Sequence, residues 1–439
     1  MPAKSLWFLI PITLAVALPA AAKGMPSRFR DWFPISGWWG PNKDQVTGKV
    51  YEDMAAAGLT LGLGHPSWAV GLGERAGLKM IIYDERVDRA QKVETETECD
   101  SLIDSVAQEY GKNPNIVGFS VRDEPMPPDF PRLARISKRL CEKVPGCFPF
   151  INLFPNYVSE WLDSPPKYEE YVRQFVKEVD PPILCFDHYP FIHETMRDNY
   201  YENLDTIRRV ALDAGVPFWG FIQITAHSVA REPTEAELRL QVFSHLVYGA
   251  GGISYFCFWL PAPKGDFIFS GAILDDRGNR TEYFEQVQRI NRRIKDMAGV
   301  LLNARSTGVY HTGKVPKSAV EMPKRFPVRV KEGWAGQGKM FFATGQLIFG
   351  FFEGPGDDRY VMIVNRDYAH NLWTRLELAP EVRALEEIGG PEVGGSRGLL
   401  PDVGAKERLV PLFIRAGDGR LFKLVPDRGW SKAAAQGQT

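Results

Sequence analysis

Residues 115–125, NIVGFSVRDEP, run from an apolar segment into Arg122, Asp123 and Glu124 and stop at Pro125. Ile116 to Phe119 show no alternation of polar and apolar residues, as a strand buried on both faces of a parallel sheet requires. The segment LARISKRLCEKV (133–144) then repeats its apolar residues at helical spacing. Strand, turn and helix make one βα unit, with its charge gathered where the strand ends.

The same unit recurs to either side. Seven more strand-like runs are FPISGWWGP (33–41), LTLGLGH (59–65), LKMIIYDERV (78–87), FPFINLFPN (148–156), PILCFDHYPF (182–191), VPFWGFIQITAH (216–227) and GGISYFCFWLP (251–261). A helix-period segment follows each, the second being the shortest. Eight such units predict an α/β fold, a (β/α)₈ TIM barrel over 23–304. An open doubly wound sheet would place a glycine-rich phosphate turn after its first strand, and none is there.

From residue 305 the texture changes. KMFFATGQLIFGFFEG, YVMIVNRD, WTRLELAP, LVPLFIRAG and RLFKLVP are strand-like runs between Gly, Pro and Asp turns. They predict a C-terminal antiparallel β-sandwich domain over 305–427. The polar, alanine-rich 428–439 is expected to be a disordered tail. At the other end, Lys4, the apolar run from Leu6 to Leu18 and Ala20-Ala21-Ala22 form the pattern of an export signal over 1–22. The run is short for a membrane span. A secreted or periplasmic protein, free of the membrane once the signal is cleaved, is the expectation.

The net charge of −1 gives no electrostatic reason to expect nucleic acid as a partner. Of five cysteines, Cys141 and Cys147 flank a Pro-Gly turn and could close a small loop in an oxidising compartment. No Cys/His spacing suits zinc, so neither a metal nor another cofactor is expected.

In a barrel of this kind chemistry collects at the C-terminal strand ends. Reading those ends in turn gives Trp38 and Trp39, His65, Asp84 and Glu85, Asp123 and Glu124, Asn152, Asp187-His188-Tyr189, Gln223 and Trp259. Glu124 stands out as a carboxyl at the lip of an apolar strand, a setting that raises a pKa and suits a general acid. Strand alternation would place Arg122 on its face. Helix capping is the competing role for Asp123 or Glu124, although Pro125 to Pro128 delay the helix. Trp38, Trp39 and Trp259 are candidate platforms for sugar rings, His65, Asn152 and Gln223 candidate readers of hydroxyls. His188 and Tyr189 either bind hydroxyls or tune Asp187.

A fourth strand ending in Asp123-Glu124-Pro125, an eighth ending in Phe258-Trp259 and a trailing β domain resemble the clan A barrel glycoside hydrolases, particularly the β-galactosidase-like families. The resemblance implies that Glu124 is the acid/base and that Trp259 lines the sugar subsite. It also implies a nucleophilic Glu at the seventh strand end, where this chain has Gln223, and an Asn where it has Asp123. An amide cannot attack a glycosyl centre. Glu232 lies further along, and Glu235 reads as a helix start. The second carboxylate is therefore sought in Asp187 first, then in Asp84 or Glu85.

These readings predict a secreted glycoside hydrolase acting on an oligo- or polysaccharide, with Glu124 and Asp187 as the catalytic pair. The alternative is a glycan-binding barrel that has lost hydrolysis. An aldolase would need an activated Lys at a strand end, and a serine hydrolase a Gly-x-Ser-x-Gly elbow; neither is present.

Overall fold

The computed structural model describes residues 24–427 apart from 39, 42, 159–164, 264, 266, 332, 336–339, 343–344, 390–397 and 400–407. The expected export signal, the polar tail and Trp39 lie outside the described residues.

Eight parallel strands close into a barrel. They are β1 (Ile35–Trp38), β2 (Leu61–Pro66), β3 (Lys79–Tyr83), β4 (Ile116–Asp123), β5 (Phe148–Leu153), β6 (Leu184–Phe186), β7 (Phe218–Gln223) and β8 (Gly252–Phe256). β1 pairs with both β2 and β8, so the ring has no free edge. All eight strands are shorter than the runs read from the sequence, two of them for evident reasons. The run 78–87 breaks at Asp84, where a helix starts (Glu85–Ala90), and β6 keeps only three residues of 182–191.

The uniformly apolar strands have two destinations. Leu61, Leu63, Ile81, Phe148, Phe150, Cys185, Trp219 and Phe221 fill the barrel interior. Their sequence neighbours Ile82, Ile151, Phe186 and Ile222 join the larger core beneath the helices. Burial on both faces is what removed the period of two from the sequence.

The β domain starts at Arg305. Its six-stranded antiparallel sheet includes β9 (Arg305–His311), β10 (Leu347–Glu353), β11 (Arg359–Asn365) and β12 (Gly419–Pro426). A three-stranded sheet of Val328–Val330, Leu372–Leu378 and Leu409–Ile414 faces it across a shared apolar core. The other face of the large sheet supplies Ile348, Phe352, Met362 and Leu421 to the barrel's core, against helix Glu235–Val247. Asp418 pairs with Arg293 across the same junction. Among the described residues no helix is long and apolar enough to cross a membrane.

Candidate active site

Glu124 follows β4 directly and leaves the strand conformation. Its φ is +47°, a left-handed backbone rarely adopted by a non-glycine residue, with a cost of about 1–3 kcal/mol. Its N–H still donates to the Asn152 carbonyl on β5, 2.8 Å away. The β4–β5 ladder also shifts register between Ser120 and Arg122. Bulge and turn together end the two-residue alternation, which corrects the expected pairing of Arg122 with Glu124. Arg122 lies exposed, 3.5 Å from Asp129. Nor does Glu124 cap a helix: Asp129 accepts from Met126 N at the start of that helix.

Three carboxyls meet at this rim. On β5 the Asn152 amide nitrogen donates to Asp123 Oδ1 at 3.1 Å and to Asp187 Oδ1 at 3.2 Å, using both of its protons. Asn152, expected as a reader of hydroxyls, is instead a strut between acids. Burial and the neighbouring Asp123 push the Glu124 carboxyl up to about 7. Asp187, only 6% exposed, is raised well above the carboxylate range by burial and then by Glu124 and Asp123. Asn152 and Tyr189 partly offset this by donating to it. Asp123 is open to solvent at the mouth, yet the protein around it raises its carboxyl as well. Among the described residues no cation forms a salt bridge with any of the three.

Other expected residues take structural work. Asp84 caps the helix Glu85–Ala90 through Arg86 N and holds the Arg86 guanidinium with both oxygens. Arg86 keeps it charged, below the usual carboxylate range despite its burial. Glu85 lies in the first turn of that helix.

Gln223 is wholly buried and fully committed. Its Oε1 accepts from Phe191 N at 2.9 Å, and its Nε2 donates to the carbonyls of Phe191 at 2.9 Å and Arg231 at 2.6 Å. The side chain imitates a strand edge and ties together the loops after β6 and β7. It has no proton left for a ligand. Glu232 accepts from Tyr283, and Glu235 opens a helix capped by Thr234 and Glu237.

His65 and His188 are buried and neutral. His65 takes a Tyr51 hydroxyl contact of 2.9 Å and is pushed down to about 4 by burial. His188, held down to about 3 by burial and Arg197, sits between the Tyr157 and Tyr200 rings. Trp38 packs on Phe150 and Phe221 at the top of the barrel interior. Trp259 is buried beneath the turn at Gly278, where a Cβ would come within 2.8 Å of its ring. Its face is therefore covered, unlike the subsite wall that the resemblance implies.

Several mouth residues escaped the sequence reading. Tyr157 accepts from Tyr189 N at 3.2 Å and carries the Arg197 guanidinium 3.8 Å over its ring. His227 stacks edge-on to Tyr189 at 4.9 Å. Trp68 and Phe267, in the loops after β2 and β8, are 52% and 55% exposed. Their place in the segments that follow strand ends was the available signal. Among the described residues no group of His, Cys, Asp and Glu is arranged to hold a metal.

No protein-family model and no curated protein matches the chain in sequence. Solved structures do match in shape. A GH42 β-galactosidase from G. stearothermophilus aligns over 91% of this chain and 99% of its own, at 8% identity and TM-score 0.55. A β-galactosidase from Bacillus circulans sp. alkalophilus aligns over 91% and 100%, at 8% identity and TM-score 0.54. For a β-galactosidase from the psychrophilic Marinomonas ef1 the match spans 61% of each chain, less than two thirds of that protein's length, at 13% identity and TM-score 0.46. What the chain shares with the first two is the fold, a (β/α)₈ barrel followed by a β domain.

Proposed function

We propose that the protein is an exported glycoside hydrolase that cleaves O-glycosidic bonds in an extracellular glycan, with Glu124 as general acid/base. The observation that carries this reading is the Glu124 carboxyl at about 7 beside two further acids at the barrel mouth. A carboxylic acid that keeps its proton near neutrality can pass it to a departing glycosidic oxygen, an effect commonly worth about two to four powers of ten in rate. Afterwards the Glu124 carboxylate takes a proton from the incoming water. Asp187 is the second carboxylate, supporting positive charge at the anomeric carbon while Glu124 deprotonates the water. The Asn152 amide and Tyr189 steady its ionised form.

One observation favours a second reading, a barrel that binds glycan without cutting it. The seventh strand ends in an amide already spent on the backbone. A screen of chromogenic aryl glycosides, run beside a glycan array, decides between the two. Product formed by the wild type and lost in Glu124→Gln supports hydrolysis. Saturable glycan binding with no product from any glycoside supports the second reading and removes the first.

A further inference from the structure

A cavity of about 1070 Å³ opens in the β domain, apart from the barrel mouth. Its wall is aromatic. The Tyr310, Phe326 and Phe351 rings pack together with centroids 4.8, 6.1 and 4.6 Å apart. Tyr310 and Phe326 are only half-buried, which leaves ring surface turned to the opening. Gly308 makes room for this arrangement, since a Cβ there would lie 2.7 Å from the Tyr310 ring.

The rim is charged and unevenly balanced. Arg305 pairs with Glu353 at 3.4 Å and Arg329 with Glu377 at 2.7 Å. Lys324 and Arg325 line the same cavity, both exposed, with no ion pair to either among the described residues. On a chain of net charge −1 these two neighbours form a local surplus of positive charge beside open aromatic faces.

We propose that this groove binds an acidic oligosaccharide bearing uronate or sulfate groups. The C–H face of a pyranose ring matches the Tyr310 and Phe326 surface, as apolar ring faces stack on aromatic side chains. A carboxylate or sulfate matches the Arg325 fork and the Lys324 ammonium. The cavity lies just above the size range of small-ligand sites, roughly 300–1,000 Å³, as suits an oligomer. The choice of a glycan over other polyanions rests on the glycosidase reading of the barrel. The groove would then hold an acidic polymer while the mouth works on it.

The test uses the full chain carrying Glu124→Gln, so that the probe stays intact, and isothermal titration with an oligogalacturonate. The comparison probes are a neutral cello-oligosaccharide of equal length and a single-stranded oligonucleotide. The expected result is saturable binding of the oligogalacturonate that weakens with salt, with neither comparison probe binding as tightly. Adding Lys324→Ala with Arg325→Ala should weaken it about tenfold or more, and so should Phe326→Ala, with the far-ultraviolet spectrum unchanged. Equal binding of the neutral oligomer, tighter binding of the oligonucleotide, or an unaffected double variant would each overturn the proposal. Binding is read without turnover, so an inactive barrel and an empty groove are separate failures.

Discussion

The Asn152 amide nitrogen lies 3.2 Å from the Asp187 carboxylate and donates to it from the neighbouring strand. The other proton of the same nitrogen serves Asp123 at 3.1 Å. One neutral side chain thus holds two carboxyls that would otherwise repel each other, next to the acid proposed for catalysis. Asn152→Ala removes the one amide that Asp123 and Asp187 share, and leaves Asp187 harder to ionise. The expected outcome is a loss of about 10- to 100-fold in kcat, with the acidic limb of the pH–rate profile moved to higher pH. A merely structural role would lower stability and leave that limb in place.

The pH profile itself is a second expectation. Glu124 must be protonated to act as an acid, and its carboxyl sits at about 7. Rates measured across pH 4–9 should fall as pH rises through the neutral range. A flat alkaline side to pH 9 would take the proton donor's role from Glu124.

The same shift has a stability consequence. A carboxyl whose folded value exceeds its unfolded one binds more protons when folded, so stability declines as pH rises from about 4.3 to about 7. Glu124→Gln removes that decline. Its melting temperature should exceed the wild type's at pH 8, by up to about 3 kcal/mol in unfolding free energy, with the gap closing towards pH 4. Calorimetry at the two pH values reads the difference. The acid group costs stability where it serves chemistry.

Gln223 offers a contrast. Gln223→Ala leaves the Phe191 N–H and the Arg231 carbonyl without their buried partner, while the Phe191 carbonyl keeps only the Arg231 N–H. Thermal or urea unfolding should show a loss of about 2–4 kcal/mol. Gln223→Glu should also destabilise, because it sets a carboxylate against two carbonyl oxygens, and it should bring no gain in rate. A faster Gln223→Glu enzyme would mean that the side chain reaches the substrate after all.

Cys141 and Cys147 carry the last prediction. Neither is in a disulfide, and the Cys147 thiol is raised well above its usual value, chiefly by its contact with Cys141. Treatment with oxidised glutathione should link them, as seen by peptide mapping under non-reducing conditions. A loop this short implies a gain of about 2 kcal/mol. Mixed disulfides with glutathione at both positions, and no internal link, would be the contrary result.

The barrel was legible because its signal is additive. Eight apolar runs and their amphipathic helices each report local burial, and no single one has to be read correctly. The boundaries that shifted did so for local reasons. Asp84 prefers to cap a helix through Arg86, and the segment after Phe186 turns into a loop held by Gln223. Glu124 was legible as a polar residue ending an apolar strand and Asp187 as a carboxyl near it, and the way Asp123 and Asn152 complete the cluster was not. Asp123 joins it only because a register shift and a left-handed φ break the alternation that linear reading assumes.

The linear order of residues, by itself, determined the strand–helix alternation, the change to β structure at residue 305 and the collection of polar side chains at strand ends. Hydrophobic period and turn chemistry are local, so they survive in one dimension. Only the folded chain decided which of those side chains keep free valences. Asn152, Asp84, Gln223 and Trp259 looked equally available in the sequence. Partners from distant strands and loops consumed Asn152 and Gln223, the near neighbour Arg86 took Asp84 once the helix had formed, and the Gly278 turn covered Trp259. Hydrogen-bond saturation and desolvation depend on groups far apart along the chain, and those meet only when the barrel closes.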